Sequence, residues 1–134
     1  MQLIETITET DYYILSQIEE HYFNVHYKNK ELPLQDYLVL IGLAEGLRNT
    51  YGKVYLLYTQ EPNFSIETET WAYIKENAHR YKFIGANALV VVDLPQRLMT
   101  KLYTFFAKNN APTKIFTDPS KGLEWLKEIS RLNS

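Results

Sequence analysis

The raw material for a reaction centre in this chain is three histidines, 16 acidic side chains and no cysteine. His21 and His26 stand an odd number of residues apart in one tyrosine-rich stretch, so on a strand they point to opposite faces, and His79 is remote from both. No H-x-x-x-H pair sets two imidazoles on one helix face for zinc. All three read as surface or hydrogen-bonded histidines. A nucleophilic hydroxyl needs a neighbouring base and, commonly, a sharp glycine-flanked turn, and there is no G-x-S-x-G. None of the five glycines enters a phosphate-cradling G-x-G-x-x-G or a Walker loop. Glu19 with Glu20, and Glu67 with Glu69, pair carboxylates along the chain. Polar turns and first helical turns favour such pairs as solvated charges. Without cysteine there is no disulfide framework, thiol catalysis or thiolate metal site, which fits a reducing compartment. The expectation is a protein that is not an enzyme, with no catalytic residue, metal or cofactor.

The elements follow from periodicity. Residues 86–92 are small and β-branched apolar residues and predict a central parallel strand buried on both faces. Asp93 caps a helix over 93–109 with Pro95 in its first turn, and Leu94, Leu98, Leu102, Phe105 and Phe106 recur on one side. A short strand at 114–117 precedes a second cap-plus-proline pair, Asp118 and Pro119, and a last helix with Leu123, Leu126 and Ile129 on its inner face. Upstream, 1–10 reads as a loosely held arm or edge segment. Residues 12–16 and 21–28 read as an antiparallel hairpin, with Phe23, Val25 and Tyr27 on its core face. A helix over 35–50 ends before Gly52, with Val39, Leu40, Leu43, Ala44 and Leu47 as its apolar side. A strand at 53–59 and a helix to about 81, capped by Ser65, Glu67 or Thr68, complete the chain. The order β, β, α, β, α, β, α, β, α predicts an α/β domain over 1–134: a mixed, mostly parallel sheet of about five strands with about four packed helices.

Composition bounds the partners. At 134 residues and 46% hydrophobic, the chain suits one domain that buries its own core. A formal net charge of −2 gives no general attraction to nucleic acid. The N-terminus lacks a basic start and an apolar signal core, and no run reaches the roughly 18 to 20 apolar residues of a membrane span, so a cytoplasmic location is expected.

The run ANALVVVDLPQRLMTKLYTFFAKNNAPTKIFTDPSKGLEWLK resembles the C-terminal half of the SpoIIAA-like group of STAS-related domains. The resemblance rests on Arg97, Leu98, Phe105, Phe106, Pro112, Thr113, Lys114, Phe116, Trp125, Leu126 and Lys127. It implies a STAS-like layout and a regulatory role without catalysis. In STAS antagonists of anti-sigma factors a serine at the start of the helix after the third strand is phosphorylated, and Ser65 is the nearest match here. Its surroundings depart from that pattern, since the strand ends in Tyr58 and Thr59 rather than Asp, and Ile66 follows the serine.

Three surface features add to this. Arg97, Lys101 and Lys108, with Met99 and Tyr103 beside them, make a basic stripe on the 93–109 helix, suited to an acidic partner or to lipid head groups. Gly42 and Gly46 form a small-x-x-x-small step inside a helix, where each costs roughly 1 kcal/mol against Ala, so something is expected to approach that backbone. A neighbouring element of the fold is the first expectation, and a homodimer or partner contact flanked by Leu38 and Ile41 the second. The 11 tyrosines suit a sheet surface or an interface. The expected function is a regulatory or protein-interaction domain acting through helix faces and the loop before the Thr68 helix. The alternative is binding of an amphipathic, lipid-like molecule with peripheral membrane association, as in the SEC14 domains that some SpoIIAA-like proteins resemble.

Overall fold

The computed structural model describes residues 5–91 and 111–133. A six-stranded sheet runs in the order β1 (Glu5–Glu9), β2 (Tyr13–Glu19), β3 (Tyr22–Tyr27), β5 (Val54–Gln60), β7 (Ile84–Val90), β8 (Thr113–Phe116). The first three strands are antiparallel neighbours, and β3, β5, β7 and β8 are parallel. A parallel pair cannot be closed by a tight turn, so each of these steps needs a crossover. Helix α1 (Leu34–Tyr51) supplies it between β3 and β5, and α2 (Thr68–Asn77), with a 3-10 turn at Ala78–Arg80, between β5 and β7. Helix α3 (Pro119–Leu132) follows β8. A small parallel pair, β4 (Glu31–Leu32) with β6 (Ser65–Ile66), ties the start of α1 to the start of α2.

The sheet is buried on two sides, and strand alternation sorts its residues. Tyr13, Leu15, Phe23, Val25, Tyr27, Leu56, Tyr58 and Leu89 face α1 and α2, meeting Tyr37, Leu40, Ala44 and Ile74. Ile18, Tyr22, Tyr55, Leu57, Ala86, Ala88 and Val90 face α3, meeting Leu123 and Leu126. All seven residues of β7 are buried between its two parallel neighbours, and Asn87 is the one polar side chain among them. Gly85 lies against the Tyr55 ring, where a Cβ would come within 2.5 Å of two ring carbons. The expected ends of the helices hold. Gly52, at φ 74°, closes α1 with its N–H on the Arg48 carbonyl at 2.9 Å, and Asp118 accepts from the Ser120 N–H at 2.9 Å with Pro119 at the head of α3.

The mixed, mostly parallel α/β layout therefore forms as expected, with different counts. The main sheet has six strands rather than about five, because residues 5–9 pair with β2 as an edge strand instead of hanging loose. The described residues hold three α-helices. The helix expected over 93–109 lies outside them.

Candidate functional site

Helix α1 carries apolar residues on every side among its few polar ones, so its sequence does not say which side goes inward. The structure turns Tyr37, Leu40 and Ala44 to the core, with Ile41, Leu47 and Tyr51 half-buried beside them. Val39 and Leu43, expected on that inner side, face out instead. Seating the large Tyr37 ring against the sheet sets the rotation of the helix and carries them to solvent. Leu38 is 38% exposed, Val39 50% and Leu43 36%. Gly42 and Gly46 are exposed between them, and a Cβ built at either would meet nothing within 4 Å. No neighbouring element of the described fold comes near those glycines, which corrects the first expectation for them. At 100° per residue, Gln35, Gly42 and Asn49 run down the middle of this outward face. Leu38 and Gly46 lie close to that line, and Asp36, Glu45 and Arg48 sit to its sides.

A second arrangement occupies the other face of the sheet, at the carboxyl ends of β3 and β5. Parallel pairing sets Asn24 beside Leu57 and His26 beside Thr59. Asn24 Nδ2 donates to the Leu57 carbonyl at 2.9 Å and to Thr59 Oγ1 at 3.2 Å. Thr59 Oγ1 lies 2.7 Å from His26 Nδ1, and His26 Nε2 lies 3.6 Å from Glu61 Oε2. The Asn29 N–H holds the other carboxylate oxygen of Glu61 at 2.9 Å. His26, Thr59 and Glu61 are half-buried, and Asn24 is buried. The sequence showed the two polar residues of β3 on one face but not their partners, because only strand register brings them together.

Tyrosines fill the opposite face. Tyr27 stacks on Phe64 with centroids 4.6 Å apart and on Tyr58 at 6.2 Å. Burial pushes the hydroxyls of Tyr27, Tyr37 and Tyr58 above the ordinary phenol range, with neighbouring phenols adding to the effect. These rings are structural fill with neutral hydroxyls. A cleft of about 380 Å³ opens at the amino ends of β5 and β7, among Lys53, Lys82, Gly85, Pro112 and Asn133. It has a polar rim, and it is not the elongated apolar cavity between sheet and helices that a lipid-like ligand would need.

Among the described residues, no group of three or more His, Cys, Asp or Glu is placed to hold a metal, and no helix is long and apolar enough to cross a membrane. Ser65 sits in β6, its N–H on the Lys30 carbonyl at 3.3 Å, and not at the start of α2, which begins at Thr68. Leu38, Ile41, Gly42 and Gly46 are gathered on α1. Arg97, Met99, Lys101, Tyr103 and Lys108, the expected basic stripe, lie outside the described residues.

A family model described as Domain of unknown function (DUF7793) matches residues 47–130, from the last turn of α1 into α3. No curated protein and no solved structure matches the chain. The resemblance to SpoIIAA-like STAS domains is corrected by this match, which is to a different family. Within the described residues, the positions that suggested STAS have plain packing roles. Phe116 and Trp125 rings meet at 5.7 Å, Leu126 fills the core, and Lys127 pairs with Glu19. Any strand that leads into a helix lying back on its own sheet asks for such residues.

Proposed function

We propose that this chain, which belongs to the family of domains of unknown function DUF7793, is a protein-interaction domain that binds through the outward face of α1. One observation carries the reading: Leu38, Val39 and Leu43 are exposed together around two glycines whose backbone is open to close approach. An isolated exposed leucine needs no explanation, but glycines inside a helix weaken it, and among the described residues nothing lies within 4 Å of a Cβ at either one. The middle of this face bears no charge, so it suits an apolar protein surface rather than an anionic one.

The simplest occupant is α1 of a second copy, arranged head to tail about a twofold axis near Gly42. Magnitudes limit its strength. Three side chains already part-buried give up about 1 kcal/mol each on complete burial, and a twofold contact counts them twice, about 6 kcal/mol. Association costs on the order of 4 to 15 kcal/mol, so these side chains leave at most about 2 kcal/mol, and the dimer forms only at high protein concentration. Sedimentation equilibrium over a wide range of protein concentration tests this. The wild-type chain should show reversible dimerisation that Val39→Glu with Leu43→Glu abolishes while the circular dichroism spectrum is kept. Dimerisation unchanged by that double substitution, or a wild-type chain that stays monomeric throughout, would sink the reading.

A further inference from the structure

The row formed by Asn24, Thr59, His26 and Glu61 is independent of α1 and lies across the sheet from it. The geometry points to Thr59 as a nucleophilic hydroxyl, an acyl-acceptor site for activated esters, with His26 as its base and Glu61 as the residue that positions the imidazole. Hydrogen-bond accounting gives the direction of the protons. Glu61 Oε2 stands 3.6 Å from Nε2, an electrostatic contact rather than a hydrogen bond, and it favours the tautomer that carries its proton on Nε2. Neutral His26 then presents an unprotonated Nδ1 to Thr59 Oγ1, 2.7 Å away. Asn24 Nδ2, itself anchored on the Leu57 carbonyl, donates into a lone pair of the same hydroxyl. The Thr59 hydrogen is thereby left to His26 Nδ1. A hydroxyl hydrogen-bonded to an imidazole whose other nitrogen faces a carboxylate is the arrangement that raises alcohol reactivity.

The surroundings support access and rigidity. The His26 side chain is 29% exposed and that of Glu61 42%, Thr59 is half-buried, and Asn24 is buried behind them, so the hydroxyl is fixed from within at the margin of the sheet face. Glu61 cannot drift freely, since the Asn29 N–H holds its second oxygen. The charged group facing the ring is Glu61; β2 contributes Ile14 beside His26, and β5 contributes Thr59. In the step itself, Thr59 Oγ1 bonds to the carbonyl carbon of the ester and the bond from that carbon to the leaving oxygen breaks. The threonine proton passes to His26 Nδ1 and from there to the departing alkoxide, leaving an acyl-threonine and a free alcohol.

The test treats the whole chain with p-nitrophenyl acetate and follows acetylation of the Thr59 peptide by mass spectrometry against pH. Acetyl-Thr59 should form and be absent in Thr59→Val. His26→Gln should slow it about 100-fold, the low end of what a general base supplies. Glu61→Gln, whose amide oxygen can still accept at Nε2, should keep more of the acetylation rate than Glu61→Leu, a difference that a merely structural role would not produce. If His26→Gln unfolds the chain, Thr59→Ser decides the matter, since a less hindered alcohol beside an intact His26 should react faster. Acetyl groups confined to lysines and tyrosines, or an acetyl-Thr59 rate indifferent to His26→Gln or to Thr59→Ser, overturns the assignment.

Discussion

Replacing Gly85 by Ala measures how tightly β7 is fitted to the layer beneath α3. The added Cβ would lie 2.5 Å from Cε1 and from Cζ of Tyr55, well inside van der Waals contact. The Tyr55 ring has little room to retreat. It is 3% exposed, its centroid is 5.2 Å from that of His21 and 5.7 Å from that of Tyr22, and Asn133 Nδ2 donates to its hydroxyl at 3.1 Å. Overpacking a filled core costs about 1 to 3 kcal/mol, and losing the Asn133 hydrogen bond as the ring tilts adds about 1 kcal/mol. A destabilisation near 3 kcal/mol is expected, lowering Tm by on the order of 10 °C. Urea unfolding of Gly85→Ala, of Tyr55→Leu and of the double variant separates the steric term from any backbone effect. Gly85 is outside the left-handed region, so its backbone accepts alanine. In the Tyr55→Leu background the same substitution should be neutral, or stabilising by about 0.5 kcal/mol through the unfolded chain. A Gly85→Ala variant as stable as wild type, or one that costs as much without the Tyr55 ring as with it, would refute the packing described for β7.

Other expectations follow from the same structure. Among the described residues the buried Tyr13 hydroxyl has no hydrogen-bond partner, so Tyr13→Phe should raise stability by about 1 kcal/mol, and a loss measured by urea unfolding would contradict that burial. Asp118→Ala removes the acceptor for the Ser120 N–H and should cost about 1 kcal/mol, whereas Asp118→Asn should keep most of it. The raised hydroxyls of Tyr27, Tyr37 and Tyr58 set an alkaline limit. Below about pH 10 both states hold these protons and the full stability is present; above it the unfolded chain releases them first, so stability falls as pH rises. The urea midpoint should therefore be flat near about pH 8 and drop near about pH 11, and a midpoint that stays level would show these tyrosines to be solvated.

What was legible in the chain and what was not divide along physical lines. Residues 86–92 announced a doubly covered strand, seen at 84–90, because burial on both faces calls for a nearly continuous run of small and apolar residues. Asp118 with Pro119, and Gly52, marked helix ends through local hydrogen-bond chemistry that needs no tertiary context. For the edge strand β1, ETITE, the sequence left an arm and an edge segment both open, and the pair β4 and β6 went unread, since short, polar, half-exposed strands carry little pattern. The rotation of α1 was misread for the opposite reason: with apolar residues on every side, only the seating of Tyr37 decides which ones are left in solvent. The contact of His26 with Thr59 could not be read at all, because it depends on the register of β3 against β5, which α1 separates in sequence.

One substitution probes directly whether the outward face of α1 is a contact surface. The chain has no cysteine, so Gly42→Cys introduces a single thiol at the middle of that face, next to where a twofold axis would pass. A disulfide needs Cα atoms within about 7 Å, a distance that random collision seldom holds. Oxidation of Gly42→Cys at the high protein concentration where the dimer is populated should yield a covalent dimer far faster than oxidation of Lys121→Cys, an exposed site on α3, under the same conditions, and adding Val39→Glu should remove the difference. Equal rates at the two sites would contradict the assignment of α1 as the binding face.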